Sequence, residues 1–300
     1  MVNEALTLVI ISYYDRRSID NLVRLLNSME EFDPGANYSV CVVVNRTSDK
    51  IINLENKFSS LSVLYRNNTG MNIGAWDYGW RMNPDHKDYL FLQDECYMTK
   101  NGWLSAFKDI AQNTSIGMIG ESINESWNQS WDMLREKQKN INLSEHELNG
   151  VETNRVDVYL SFMRDNDILP GMVGRHLRSL VWYIQKDVLN SIGGFPIGSN
   201  YGECIAAEIS VSKKVESLGK TIVQVSKSQF EYIRHIEWNK DCVNGNYSHK
   251  PIHLTEQNIL KNEIDKLNQL INSPSWEFII KLINNKLRGF VKSMLRRIGV

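Results

Sequence analysis

No stretch of 18 or more apolar residues occurs in this 300-residue chain, so no segment reads as a membrane-spanning helix. Excess charge is lacking too. With 34 Lys and Arg against 35 Asp and Glu, the net charge is -1, which argues against nucleic-acid binding by bulk electrostatics. Cysteine is sparse. Cys41, Cys96, Cys204 and Cys242 lie far apart with no CxxC pair, so neither a zinc site nor a redox motif is indicated. Free thiols in a reducing cytoplasm are the natural reading. The first twelve residues lack a basic leader pattern, carry Glu4, and read better as the approach to a first strand. No internal repeat and no low-complexity block is visible.

What is present is the alternation of an α/β protein. Leu6 to Ser12 is a β-branched apolar run typical of a buried strand. Ile19, Leu22, Val23, Leu26 and Met29 follow at helical spacing, with Ser18 placed to cap the helix. Asp33-Pro34-Gly35 is a turn, and Tyr38 to Val44 a second strand. A short helix is expected over 48–58, a third strand over 61–65, and a glycine-containing loop leading into a helix over 69–82. Tyr89 to Gln93 is a fourth buried strand. Strands and helices in this order predict right-handed crossovers and a parallel sheet. Further on, Trp103 to Gln112 reads as a helix, 116–120 and 181–184 as strands, Ala206 to Leu218 as a helix ended by Gly219, and Thr221 to Val225 as a last strand. Residues 121–180 are the least regular part.

The most informative point is where the fourth strand ends. The run Tyr89-Leu90-Phe91-Leu92-Gln93 stops on the adjacent carboxylates Asp94 and Glu95. Acids at the carboxyl end of a buried strand stand where open α/β sheets place ligands, and two of them can hold a divalent cation. Three other features accompany them: Asn45-Arg46-Thr47-Ser48-Asp49 after the second strand, Asn72-Ile73-Gly74 before the acidic strand, and Ile192-Gly193-Gly194-Phe195 followed by Glu203 and Glu208.

This order resembles the GT-A glycosyltransferases, particularly the family 2 type of nucleotide-sugar enzyme, over roughly residues 5 to 225. The resemblance implies a Rossmann-like α/β domain with a mostly parallel central sheet flanked by helices. That domain would occupy 1–250, with a nucleotide-binding half of about 1–100 and an acceptor half of about 101–250, and a helical extension would follow over 251–300. It also implies a nucleotide-sugar donor, a glycan or lipid-linked acceptor, and Mn²⁺ or Mg²⁺. Carried over position by position, Asn45, Ser48 and Asp49 would meet the nucleoside. Asn72 and Gly74 would lie against the donor, with glycine permitting close backbone approach. Gln93-Asp94-Glu95 stands in place of the family's Asp-x-Asp, a departure in its first and last residues. Asp94 and Glu95 would hold the metal, with His235 completing its shell and Arg234 meeting the diphosphate. Glu208 matches the region that supplies the base, and Glu203 is the close alternative. Five helical residues apart, the two point about 140° from each other. Glu203 could instead serve its helix N-terminus.

Some residues admit two readings. Trp127 and Trp131, four apart, could share a helix face and stack on sugars, or plug a core. Trp76 and Trp80 read as core. Arg175, His176 and Arg178 could touch phosphate or form a solvated loop. Residues 276–298 form a basic amphipathic helix pattern that could lie on an anionic membrane surface, consistent with a cytoplasmic protein peripheral on the inner leaflet, or pack on the domain or a second subunit. Two rival functions remain open: a nucleotidyltransferase, disfavoured by the absence of glycine after the first strand, and a non-catalytic glycan- or nucleotide-binding relative, supported by Gln93.

Overall fold

The computed structural model describes residues 6–47, 61–143 and 152–238. The first half runs β1 (Thr7–Tyr14), α1 (Asp20–Glu31), β2 (Tyr38–Arg46), β3 (Leu61–Asn67), α2 (Met71–Met82), β4 (Asp88–Gln93) and β5 (Cys96–Met98). Next come α3 (Ser105–Ala111), β6 (Ile116–Gly120), α4 (Trp131–Lys137), β7 (Asn140–Asn142), β8 (Glu152–Asn154) and α5 (Arg155–Asp165). The chain then forms β9 (Val181–Gln185), α6 (Lys186–Ser191), α7 (Tyr201–Ser217), β10 (Thr221–Gln224) and β11 (Ile233–His235).

Seven of these strands form one sheet in the order β10-β6-β9-β4-β1-β2-β3. Every neighbouring pair is parallel except those of β9, which runs antiparallel to β4 and β6. The expected mostly parallel sheet flanked by helices is therefore present. Strand alternation divides the core between its two faces. Leu8 and Ile10 point into a cluster with Trp76, Trp182 and the apolar side of α7, whereas Val9 and Ile11 point toward Leu22, Leu26 and Phe107 of α1 and α3. Covering both faces is what demands near-continuous apolar strands.

Several local expectations are refined. α1 starts at Asp20 rather than Ser18, whose hydroxyl accepts from the Asp20 amide at 3.2 Å. α7 starts at Tyr201, five residues before the apolar pattern, because Asn200 accepts from the Glu203 amide at 3.0 Å and Glu203 reaches back to the Ser199 amide at 2.8 Å. The Asn200 amide oxygen is thus the N-cap, and Glu203 ties the residue before it to the first turn. Gly219, at φ +74, follows the end of α7 as expected. Trp127 lies in a 3-10 turn and Trp131 begins α4, so they do not share a helix face. Both are buried, at 7% and 9% exposure, and fill the core rather than face a sugar. Trp76 and Trp80 are core residues as expected, and the Trp76 indole also donates to the Leu92 carbonyl at 3.0 Å. Cys41 and Cys96 are buried free thiols, and Cys204 is buried with its Sγ 3.7 Å from the Gly198 carbonyl.

The expected helix over 48–58, the extension over 251–300 with its segment 276–298, and Cys242 lie outside the described residues. Among those described, no helix is long and apolar enough to cross a membrane.

Candidate active site

The chain builds β2 and β3 on one side of β1, then returns to place β4 on the other. Strand order reverses between β1 and β4, and open α/β sheets bind ligands outside the carboxyl ends of strands at such a point. The residues there are Asp15 to Arg17 after β1 and Gln93 to Glu95 after β4.

Asp94 is 1% exposed, and its amide is tied to the Ser12 carbonyl at 3.1 Å. Its Oδ2 is buried without a hydrogen-bond partner. Burial and the Glu95 charge push the Asp94 carboxyl up to about 7, against the pull of Arg17. Glu95 makes a close ion pair with Arg17, whose Nη1 also lies 3.8 Å from Asp94 Oδ1. Burial works to raise the Glu95 carboxyl, but the His235 imidazole and the Arg17 guanidinium outweigh it and hold it below the ordinary range.

His235 reaches Glu95 because β11 pairs antiparallel with β5, setting His235 opposite Cys96. Glu121, at the end of β6, fixes that strand: its carboxylate accepts the amides of Glu231, Tyr232 and Ile233 at 2.9, 3.1 and 2.7 Å. The His235 Nδ1 accepts the Glu237 amide at 3.2 Å, so the neutral ring carries its proton on Nε2, 3.5 Å from Glu95 Oε2. In this arrangement His235 supports Glu95 through its charge when protonated, and its buried Nε2 has no hydrogen-bond partner of its own. Arg234 is half-buried and donates to the Phe230 carbonyl at 3.3 Å.

Asp94 and Glu95 do fit a divalent cation. Mg²⁺ and Mn²⁺ accept hard oxygen donors, and Mg²⁺ commonly takes one or two carboxylates with water and substrate phosphate supplying the rest. The orphaned Asp94 Oδ2 is a buried acceptor for such an ion. Among the described residues no group of three or more His, Cys, Asp and Glu side chains is gathered as a metal site, so phosphate or water would have to complete the shell.

A second acidic centre stands across Ser179. Glu208, on α7, has a side chain 20% exposed, accepts a short hydrogen bond from Ser179 Oγ, and lies 3.3 Å from His176 Nε2. Burial would raise its carboxyl, yet His176, the Ser179 hydroxyl and the Arg178 charge hold it below the ordinary range. Ser179 also joins the two centres. Its carbonyl accepts from Gln93 Nε2 at 2.6 Å and from Asn72 Nδ2 at 3.0 Å. An acid at position 93 could not donate there unless protonated, which gives glutamine a physical reason to occupy it.

The other expected residues turn inward. Asn45 is fully buried; its Nδ2 donates to the Met71 carbonyl at 3.2 Å and its Oδ1 accepts from Arg66 at 2.9 Å. It braces the start of α2 instead of presenting an amide to a base. A Cβ on Gly74 would lie 2.0 Å from the Thr69 carbonyl, so the close approach is to the chain's own loop. Gly74→Ala is expected to cost about 1–3 kcal/mol through that overlap, read as a lower denaturation midpoint. Glu203 is committed to the Ser199 amide at the start of α7. Ser48 and Asp49 lie outside the described residues.

Residues that sequence reasoning did not assign also shape the site. Arg17 balances the acidic pair, and Asp15 receives the Thr47 amide at 2.9 Å and hydroxyl at 2.6 Å. Both follow β1 directly, so the switch-point rule applied to the first strand could have found them. His176 and Arg178 form neither a solvated loop nor an open phosphate site, being 2% and 8% exposed. Arg175 lies 3.6 Å from Glu125.

No protein-family model matches this sequence, and no curated protein does. Several solved structures are similar to this chain. One similar structure is the mannosyltransferase PcManGT from Pyrobaculum calidifontis in complex with GDP-Man and Mn²⁺, at 12% identity and TM-score 0.47, covering 74% of this chain and 55% of that one. Another is S. aureus TarS 1–349 in complex with UDP, at 17% identity and TM-score 0.45, covering 76% and 59%. A third is GalNAc-T7 with UDP, GalNAc and Mn²⁺, at 11% identity and TM-score 0.46, covering 78% and 44%. This chain thus spans about half the length of the solved chains it matches.

Proposed function

We propose that this chain is a glycosyltransferase that moves a sugar from a nucleotide-sugar donor to a hydroxyl of a glycan or lipid-linked glycan, in the building of a cell-surface polysaccharide. The observation that carries the reading is the pair of acidic centres, Asp94–Glu95 and Glu208, linked through Ser179 at the switch point of the sheet. One can offset the charge of a diphosphate through a cation, and the other can take a proton. Those are the two requirements of displacing a nucleoside diphosphate from a sugar by an alcohol.

Asp94 and Glu95 are the residues that would hold Mn²⁺ or Mg²⁺, which when bound supplies positive charge to the departing diphosphate. Arg17, with its side chain 44% exposed, and Arg234 would meet the same phosphates. His235 orients Glu95. Asn72 and Gln93 hold Ser179, and Asn45, Arg66 and Gly74 hold the loop before α2. Ser48 and Asp49 are the residues assigned to the nucleoside. Glu208 acts as base on the acceptor hydroxyl, its lowered carboxyl keeping it ionised at neutral pH. The basic pattern over 276–298, outside the described residues, would bring the protein to the anionic inner leaflet, where a lipid-linked acceptor lies.

A thermal-shift screen of nucleoside diphosphates and nucleotide sugars, with and without Mn²⁺, tests the reading. A ligand at 100 times its Kd stabilises the native state by about 2.7 kcal/mol. The expected result is a metal-dependent shift with one nucleotide that disappears in Asp94→Ala. A folded sample that responds to no nucleotide would overturn it.

A further inference from the structure

His176 lies behind Glu208 and is held on every side. Its Nδ1 is 2.7 Å from the Gly174 carbonyl and donates to it, and Trp127 packs edge-on at 5.7 Å. Its Nε2 faces two groups at once, Glu208 Oε1 at 3.3 Å and Asn124 Nδ2 at 3.3 Å. The Asn124 amide is oriented by its Oδ1, which accepts from Arg178 at 3.1 Å and from Ser126 Oγ at 2.7 Å. Its nitrogen therefore faces the ring as a donor.

These two neighbours make opposite demands. A neutral Nε2 accepts from Asn124. A protonated Nε2 donates to Glu208. The ring has a partner in either state, without moving. Such a two-sided environment is not needed to fill a core; a phenyl ring beside Trp127 would do that.

We propose that His176 is a positioning residue that acts through Glu208 and accepts the proton Glu208 takes from the acceptor hydroxyl, so that the pair is the working base. This rests on the glycosyltransferase reading and on Glu208 as its base. In the step, the acceptor O–H bond breaks and its proton passes to the Glu208 carboxylate. The acceptor oxygen bonds to the anomeric carbon as the bond from that carbon to the diphosphate breaks, and the diphosphate leaves with the electron pair. The proton then moves from Glu208 to His176 Nε2, which restores the carboxylate beside an imidazolium. Release to water resets the pair.

Among the described residues, charged groups on two elements bear on the ring. Glu208 on α7 favours a proton on it. Arg178 and Arg175 on its own segment oppose one, with Arg175 partly balanced by Glu125 at 3.6 Å. Lys213, also on α7, is paired with Glu216 at 2.7 Å.

The test uses the full chain labelled with ¹³C at glutamate carboxyls, the Glu208 signal being the one that Glu208→Gln removes. His176→Gln is expected to raise the pH at which that signal titrates by about one unit or more. With the nucleotide sugar found in the thermal-shift screen, the acid limb of kcat/KM should move down to the pH at which the carboxyl alone titrates, because in the wild type a His176 that already carries a proton cannot accept another, while the donor KM stays unchanged. An unmoved carboxyl, or a moved carboxyl with an unmoved acid limb, overturns the proposal. Should His176→Gln not fold, the wild type decides, because coupled sites respond together. The ¹⁵N signals of the His176 ring must then change over the pH range in which the carboxyl does, and independent responses overturn the proposal. If Glu208→Gln leaves transfer intact, Glu208 is not the base and the proposal falls with that assignment, whereas a failed His176 test leaves the transferase reading standing.

Discussion

Glu208→Gln is expected to lower transfer by about 10²–10⁴-fold, the usual contribution of a positioned general base, while donor binding and the melting temperature stay near wild type. The substitution keeps shape and one oxygen, so the Ser179 hydroxyl retains an acceptor. The new amide hydrogen meets a neutral His176 Nε2 that can accept it. What is lost is the ability to take a proton. Glu203→Gln is the matched control. Glu203 serves the Ser199 amide at the start of α7, so losing its charge there should cost about 0.3–1 kcal/mol of stability and leave turnover within a few-fold. The comparison is made by steady-state transfer assays on the two purified variants beside thermal melts. Equal turnover in wild type and Glu208→Gln would remove Glu208 from the chemistry and return the question to Glu203.

The contrast between these glutamates illustrates what the sequence could and could not reveal. The central strands were legible because both faces of the sheet are buried, and burial on two sides writes the apolar runs Leu8–Ile11, Val40–Val44 and Tyr89–Leu92 at their centres. The acidic pair was legible because charges that end such a run are conspicuous. Partner choice was not legible. Asn45 looked like a ligand residue, yet its amide is taken by Met71 and Arg66, 26 and 21 positions away in the chain. Ser179 carries no local signal at all; its importance comes from touching Gln93, Asn72 and Glu208 at once. The start of α7 was misplaced because the Asn200 cap precedes the apolar periodicity, and polar caps add nothing to a hydrophobic pattern. Trp127 and Trp131 have helical spacing, but the turn between them breaks the helix and the core takes both. The region 121–180 resisted reading because its short elements are held by long-range hydrogen bonds more than by their own periodicity.

Glu121→Ala is expected to destabilise the protein by about 2–4 kcal/mol, because one buried carboxylate now satisfies three consecutive backbone amides. Glu121 is 1% exposed and Ile233 is fully buried, so water cannot easily replace the lost acceptor at Ile233. At roughly 2–4 °C per kcal/mol for a domain of this size, the melting temperature should fall by roughly 5–15 °C. Glu121→Gln should fall less. Tyr232 and Ile233 share Oε1 and can keep it, while the amide nitrogen would confront only the Glu231 N–H. Lys100→Ala, which removes the exposed 3.1 Å pair with Glu231, should leave the melting temperature near wild type and separates the clamp from the surface charge. The damage should extend to the site. Glu121 holds β11, β11 carries His235, and His235 is one of the two groups that keep Glu95 ionised against burial. Loosening the strand therefore weakens the acidic pair from behind, and the nucleotide-dependent thermal shift should shrink in Glu121→Ala even at temperatures where the variant is folded. Melts and nucleotide titrations on the three variants check this. A Glu121→Ala protein that melts with the wild type and binds nucleotide equally well would mean that β11 is held by its pairing with β5 alone.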